Sequence, residues 1–364
     1  IEHSRSSLDR SKTGCTARPP AVKQVNSASM STDSPARPPT IRTVAARAGV
    51  SKSLVSLVLQ GSPHVSEHRR RAVLEAVAEL GYRPDPAARS LAERRTRTVG
   101  VVIDDLANPW FVPLLDGLRP ALHRHDLRPL LADGRTEPDA VRAMTELRVD
   151  GIVLVGTVAA TALEQLDPAR PTVVAGTREP RLPGVDVVAN DDELGARTAT
   201  RHLLELGHRR IAHIVGEGEV GRLRRAGYEA ELAAAGLAPS TVDGDWTEST
   251  GHDRAAALLR AAERPTAVFA ANDLSAIGVL AAADDLGLRV PEDVSVVGYD
   301  DTVFSGFRRV ALTTVDNLAA EVGRQAADVF LTRLAGHQGA ASTRLLGPRL
   351  VVRSTTAPFR ASTR

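Results

Sequence analysis

Cysteine is almost absent from this sequence: Cys15 stands alone in 364 residues. No internal disulfide can form and no cysteine cluster can hold a metal, which fits a reducing cytoplasm. Aromatic residues are scarce as well, with two Trp, three Tyr and six Phe. No apolar run approaches ~18 residues, so no segment is expected to span a membrane. The N-terminus lacks a basic patch followed by an apolar stretch, so no secretory leader is expected. Lysine is nearly missing: Lys12, Lys23 and Lys52 are the only three among 46 basic residues. No Ser/His/Asp set stands near a nucleophile elbow, so no enzyme and no cofactor are expected.

The residues present are those of a packed soluble protein, 43% hydrophobic and 25% charged, long enough for two or three domains. A net charge of +2 hides an asymmetry. Residues 40–97 hold eleven Lys/Arg against five Asp/Glu, and residues 1–39 hold six against three, so residues 98–364 carry a net −7. A small basic module on an acidic body suggests a polyanionic partner for the first part only. Residues 1–39, rich in Ser, Pro, Thr and Arg, are expected to be a disordered tail, with Met30 as a plausible native start.

From Thr40 the pattern becomes helical. "TIRTVAARAG" reads as a short helix with Thr40 as N-cap and Gly49 as its stop. "SKSLVSLVLQG" follows, with Ser51 as N-cap and Leu54, Val55 and Val58 on one stripe. "SEHRRRAVLEAVAELG" is a third helix, and "DPAARSLAERR" a possible fourth, with Asp85 as N-cap and Pro86 in its first turn. Two short helices joined by "AGVS" make a helix-turn-helix. Its second helix offers Ser51, Lys52, Ser53 and Ser56 at an N-terminal end whose free N–H groups suit phosphates and base edges.

After Arg97, β-branched runs alternate with Ala/Leu/Arg-rich helical stretches. The runs "TVGVVID", "DGIVLVG", "PTVVAG", "VDVVAND", "RIAHIVG", "TAVFAAND" and "DVSVVGYD" are continuous and apolar, as buried parallel strands of a doubly wound sheet should be. Several end in Asp, Asn or Gly, where ligands bind in such sheets.

The stretch "TIRTVAARAGVSKSLVSLVLQGSPHVSEHRRRAVLEAVAELGYRPDPAARSL" resembles the DNA-binding head of the lac repressor (LacI/GalR) family of bacterial transcription regulators. "DDLANPWF", "RVDGIVLVG", "LLELGHRRIAHIVG", "RRAGYEAEL", "AANDLSAIG", "LRVPEDVSVVGYDD" and "LTTVDN" resemble that family's effector domain in the same order. The resemblance implies an all-α helix-turn-helix head followed by an α/β, two-lobed, periplasmic-binding-protein-like effector domain. It implies residues 40–84 as the head, 85–97 as hinge helix and linker, and 98–364 as the effector and dimerisation domain. Lobe 1 would comprise about 98–189 and 317–343, lobe 2 about 190–316 and 344–357, with crossings near 190, 316 and 345.

The resemblance also implies roles. Lys52 and Ser53 would read bases, with Ser51, Ser56 and His64 near phosphates and Thr40 in the same DNA-facing set. Leu57 stands where many members carry Arg, and Gln60 where Asn is usual, so no bidentate Arg–guanine contact is available at 57. In "AARSL", Leu91 matches the residue that levers a base step open from the minor groove, with Ala88 beside it. Asn108, Trp110, Phe111, Arg224, Asn272 and Asp300 would surround a small sugar-like or nucleoside-like effector, with Asp273 capping the helix that follows. Thr177 takes a place where many sugar-binding members have Asp before Arg178.

"GEGEVG" (216–221) has the form of a dinucleotide fingerprint, but no strand ending in an acidic residue follows ~20 residues on. It is expected to be a cleft loop instead. "HRH" (123–125) is expected to be a solvated helix end. The whole reads as a cytoplasmic, homodimeric repressor of double-stranded operator DNA gated by a small molecule, with no membrane partner and no added C-terminal coiled coil. The alternative is a solute-binding protein or enzyme on the same two-lobed fold, which would have no use for residues 40–97.

Overall fold

The computed structural model describes residues 39–83, 95–156, 164–176 and 184–360. The chain divides between Pro84 and Asp85 into two compact units.

The first unit is three helices, α1 (Ile41–Arg47), α2 (Lys52–Leu59) and α3 (Glu67–Leu80). Thr40 and Thr43 form a reciprocal capping box that starts α1. Gly49 turns the chain at φ +66°, a conformation that a side chain would strain. Val50 N–H then donates to the Ala45 carbonyl at 3.0 Å, closing the turn. The Ser51 hydroxyl accepts from the Leu54 N–H at 3.2 Å and starts α2. Gly81, at φ +61°, ends α3. Val44, Val55 and Val73 are fully buried at the centre, with Ala45, Val58, Val65 and Ala76 around them.

The second unit contains two six-stranded sheets. The first is built from β1 (Thr98–Ile103), β2 (Arg128–Asp133), β3 (Gly151–Val155), β4 (Thr172–Ala175) and β5 (Asp186–Asn190), with α4 (Phe111–Arg124) and α5 (Ala140–Glu146) between strands. After Asn190 the chain enters the second sheet through α6 (Asp192–Glu205), β6 (Ile211–Val215), α7 (Gly218–Ala234), β7 (Ser240–Asp243) and α8 (Glu248–Arg260). That half continues through β8 (Ala267–Phe269), α9 (Asp273–Asp285), β9 (Ser295–Tyr299) and β10 (Thr313–Asp316). The chain then returns as α10 (Ala319–Leu334) and β11 (Thr343–Leu346), and crosses once more to β12 (Arg349–Val351). The strand orders are β11-β5-β4-β3-β1-β2 and β12-β10-β9-β8-β6-β7. All pairings are parallel except β10 with β12, which is antiparallel.

Where the sequence suggested crossings near 190, 316 and 345, the chain changes sheets after Asn190, after Asp316 and between Leu346 and Arg349. Helix α10 packs on α4 because glycine lets the backbones touch. A Cβ at Gly117 would fall 1.8 Å from the Ala320 carbonyl oxygen, and one at Gly323 would fall 2.0 Å from that of Leu114. The first sheet's main core gathers Val101, Ile103, Leu114, Leu118, Val153 and Phe330; in the second, Tyr228, Phe269 and Tyr299 pack together on one face.

Candidate functional site

The head presents a polar face at the start of α2. Ser51, Lys52 and Ser53 are exposed, Ser56 is half-buried, and Val55 and Val58 point into the core. Period 3.6 thus separates exposed polar residues from packing residues along one short helix. Thr40 and His64 are exposed, and Leu57 is 42% exposed, so Leu57 does not pack in the head's core. The Ser51 and Thr40 hydroxyls accept backbone N–H groups as caps, leaving each hydroxyl proton to donate outward. Arg69 and Arg71 are exposed on α3, whereas Arg70 turns inward and donates to the Ser62 carbonyl at 2.6 Å. Arg47 pairs with Glu79 at 2.6 Å. Ala88 and Leu91 lie outside the described residues.

The second unit holds a cavity of about 490 Å³ at the strand ends of both sheets. Asn108, Trp110 and Phe111 reach it from the segment after β1, and Asp192, Arg224, Trp246 and Asp300 from the second half. Both tryptophans of the chain therefore line it, one from each half. Glycine makes room for them. A Cβ at Gly216 would meet the Trp246 ring at 2.2 Å, and one at Gly176 would lie 3.6 Å from Trp110. Trp110 also meets Phe111 edge to face at 5.0 Å.

Arg224, on α7, is only 4% exposed. Its Nε donates to Asp192 at 2.9 Å, its Nη1 to the Ala271 carbonyl at 2.7 Å and its Nη2 to Asp300 at 3.4 Å. The guanidinium lies 3.5 Å from the Tyr299 ring centroid and 5.4 Å from that of Trp246. Three of its five N–H groups are thus engaged by described residues, and the plane of the fork is fixed. Asp300 also accepts from Asn317 Nδ2 at 2.9 Å, and Asn317 accepts from Trp110 Nε1 at 2.9 Å. A hydrogen-bonded path therefore runs from the first sheet's Trp110, through a residue on the second crossing, to Asp300 and Arg224.

Charge explains the cluster's protonation. Burial pushes the Asp300 carboxyl up to about 8, helped by Asp273 and Asp192, although Arg224 opposes it. One guanidinium among these buried carboxylates can balance one charge, so a proton balances another. Burial disfavours the charge on Arg224 too, but Asp192 and Asp300 outweigh it and raise its pKa. Burial likewise pushes Asp273 up to about 6.

Two expectations for the cleft change. Asn272 is absent from the described lining of the cavity. Its Oδ1 accepts the Ser275 N–H at 2.9 Å, making Asn272 itself the N-cap of α9, and its Nδ2 holds the Trp246 carbonyl at 3.1 Å. Asp273, expected as the cap, instead takes the Thr302 N–H and hydroxyl and the Thr314 hydroxyl. Asn and Asp cap helices equally well, so the pair "ND" does not say which one does so. Thr177 and Arg178 lie outside the described residues. Unforeseen lining residues include Arg135, Asp192, Asp245 and Trp246, whose one sequence signal was that Trp246 is the second of only two tryptophans. Glu217, Gly218 and Val220 of "GEGEVG" line the cavity as loop and first turn of α7. His123 and His125 are exposed at the end of α4.

A basic helix-turn-helix in one unit and a ring-walled polar cavity between two α/β sheets in the other define a ligand-responsive DNA-binding regulator. Residues 40–85 match the bacterial regulatory proteins of the lacI family, and residues 200–356 match the periplasmic binding protein-like domain. A relative from Edwardsiella ictaluri (strain 93-146), the HTH-type transcriptional repressor PurR, is 33% identical over 334 residues, spanning 88% of this chain and 98% of the relative. The chain belongs to the lacI family and is a DNA-binding transcription regulator. The structure of a complex of the transcriptional regulator CelR with cellobiose is similar at TM-score 0.67 and 35% identity, covering 87% of this chain and 99% of that one. The lac repressor dimer bound to operator and the anti-inducer ONPF is similar at TM-score 0.80 and 29% identity, covering 88% of this chain and 100% of that one. Among the described residues no helix is long and apolar enough to cross a membrane.

Proposed function

We propose that the protein is a homodimeric repressor whose head, residues 40–84, reads a pseudo-palindromic operator, and whose domain from residue 98 onward takes a small sugar-like or nucleoside-like effector. Residues 85–97 are the hinge helix and linker of this proposal. The observation that carries it is Arg224, held flat on Tyr299 between Asp192 and Asp300 with N–H groups left over, beside a wall from each tryptophan. A planar donor fork facing ring walls suits a hydroxylated ring better than a lipid. The cellobiose held by the neighbouring CelR structure supports the sugar reading. Exposed large apolar side chains, Val112 at 60%, Val303 at 68% and Phe307 at 50%, support burial against a second copy.

On the DNA side, Lys52 and Ser53 are the proposed base readers, Leu57 the proposed apolar contact with a thymine methyl, and Thr40, Ser51, Ser56 and His64 lie along the backbone. Leu91, with Ala88, is the proposed minor-groove wedge. Coupling of this kind is reciprocal: an effector that weakens operator binding must itself bind worse to the DNA complex. The test is a mobility-shift assay with genomic fragments between 50 and 200 mM salt, repeated with sugars and nucleosides. Some 6–10 phosphate contacts predict a fall of roughly 10³–10⁵ in affinity across that range. Equal affinity for random and selected DNA, or indifference to every ligand, overturns the proposal.

A further inference from the structure

We propose that Asn317 is a positioning residue of the cavity: its one side-chain amide ties the Trp110 indole of the first half to the Asp300 carboxyl of the second, and a ligand binds to the pair so held. This rests on the reading of the cavity as the effector site and adds a residue that is not among its described lining.

Donor chemistry allows this joint one arrangement. An indole N–H only donates, so the amide must turn its oxygen to Trp110 Nε1, at 2.9 Å. That leaves the amide nitrogen, which only donates, for Asp300 Oδ1, also at 2.9 Å. Asn317 is 1% exposed and both bonds are buried, so water does not compete for them. With its one polar atom engaged by Asn317, Trp110 offers the cavity ring carbon alone, a wall for stacking. Asp300 Oδ1 also accepts from Arg224 Nη2 at 3.4 Å, so the same amide fixes the carboxyl that faces the guanidinium.

The backbone around the joint is held in conformations that side chains avoid. Asp300 has φ +109°, and Leu318, next to Asn317, has φ +60°. Neither is glycine, and such residues persist where their surroundings over-determine them. The Leu318 N–H donates to Asp316 Oδ1 at 2.8 Å, and Asp316 pairs with Arg349 at 2.9 Å across β10 and β12. Asn317 therefore leaves a clamped strand on one side and enters a strained turn on the other. A buried amide is costly to desolvate, and what it adds over a leucine of similar size is direction.

One isosteric change separates the two bonds. In Asn317→Asp the oxygen facing Trp110 remains, but Asp300 meets a second carboxyl in place of a donor. Arg224, Asp192 and Asp273 also face Asp300, from α7, α6 and α9. A proton shared by the two carboxyls restores the joint, and its loss parts them. The experiment is calorimetry on the full chain with glucose, cellobiose, ribose and adenosine, the variant compared with wild type at each pH. Affinities should be nearly equal at about pH 5, and the variant should bind at least about tenfold more weakly at about pH 8. Asn317→Leu, which removes both bonds, should show that loss at every pH. A ratio of Asn317→Asp to wild type that stays constant with pH overturns the proposal. The joint also has a readout without ligand. Nitrogen-15 labelling of tryptophan gives two indole N–H resonances, and Trp246→Phe assigns the one from Trp110. Asn317→Leu should move it upfield as its hydrogen bond is lost, and Asn317→Asp should leave it downfield. An unmoved resonance in Asn317→Leu also overturns the proposal; if that variant does not fold, the pH ratio of Asn317→Asp decides. If wild type binds none of the four probes, the effector reading fails, and the resonance alone decides the joint.

Discussion

The two units hold their working residues in opposite ways. In the head, Lys52 and Ser53 stand exposed on a helix of eight residues, with one short run of sequence supplying the whole face. In the second unit, Arg224, Asp192 and Asp300 are buried and tied to one another across 32 and 76 residues of chain. The head offers donors to a partner that arrives with its own charge and shape. The cavity fixes its groups beforehand, so a ligand meets a finished arrangement. Disturbing the first should change binding and little else, whereas disturbing the second should change stability and binding together.

The largest effect that would test this contrast is Arg224→Ala. Removing the guanidinium takes the buried cation away from Asp192 and Asp300, and breaking a buried pair in this way typically costs about 3–5 kcal/mol. Thermal unfolding should show that loss and calorimetry should show no ligand binding. Operator affinity without ligand should survive wherever the chain remains folded. If ligand response persists, Arg224 does not hold the ligand.

Val55→Ala asks whether the head has any such reserve. It removes two methyl groups from a core centred on three fully buried valines, for a loss of about 2 kcal/mol. Small cores leave little margin, so operator binding should weaken sharply on warming while ligand binding is untouched. Calorimetric scans that resolve the two units would check this.

Next in size is the pH dependence of the buried cluster. Asp300 ionises near 8 in the folded chain and near 3.8 unfolded, so the native state holds an extra proton between those values. Stability should therefore decline as pH rises through this window and level off above about 8. Asp273, near 6, adds to the decline at its lower end. His213, which burial holds near 4 against 6.5 unfolded, opposes it below pH 6.5, because there the native state binds fewer protons. From pH 6.5 to 8 Asp300 leads the decline, at up to about 1.4 kcal/mol per pH unit. His252, which hydrogen bonds to Asp285 and Asp253 raise above its ordinary value, acts in the same direction. Asp300→Asn should flatten that slope in thermal unfolding; an equal slope would move the titration elsewhere.

The smallest effect expected is in the head. Lys52→Ala should weaken operator binding about tenfold, leave the melting temperature unchanged and lower the salt slope by about one if the ammonium meets a phosphate. A shifted melting temperature would mean that Lys52 is built into the fold after all.

The same contrast governs what could be read from the sequence. The helix-turn-helix was legible because its signals are local: Thr40 and Ser51 cap, Gly49 turns, and Val44, Val55 and Val58 repeat at helical spacing. The seven strands with continuous apolar runs were legible for the same reason. Strands β2 and β7 were not, because they are sheet edges with little burial: β2 leaves Leu130 and Leu131 exposed, and β7 has no buried residue. Strand β10 was hidden by Thr313 and Thr314, whose hydroxyls are satisfied by distant groups. In the cavity, Arg224 and Trp110 could be proposed, but Asp192, Asn317 and Trp246 join them through loops that no local pattern connects. The cap falling to Asn272 rather than Asp273, which turns to Thr302 and Thr314 instead, shows the limit plainly, since adjacent residues of like chemistry are sorted by partners the sequence does not reveal.

The placement of the two tryptophans makes the protein its own optical instrument. Trp110 belongs to the first sheet's core and its indole N–H is held by Asn317, while Trp246 lies over Gly216 within reach of Arg224. With no third indole in the chain, intrinsic emission comes from two reporters, one in each half. A ligand seated between them would dim or shift both, whereas a movement that only broke the Trp110–Asn317 bond would alter one. Trp246→Phe would leave that single emitter, and its spectrum would follow the halves turning against each other without any attached label.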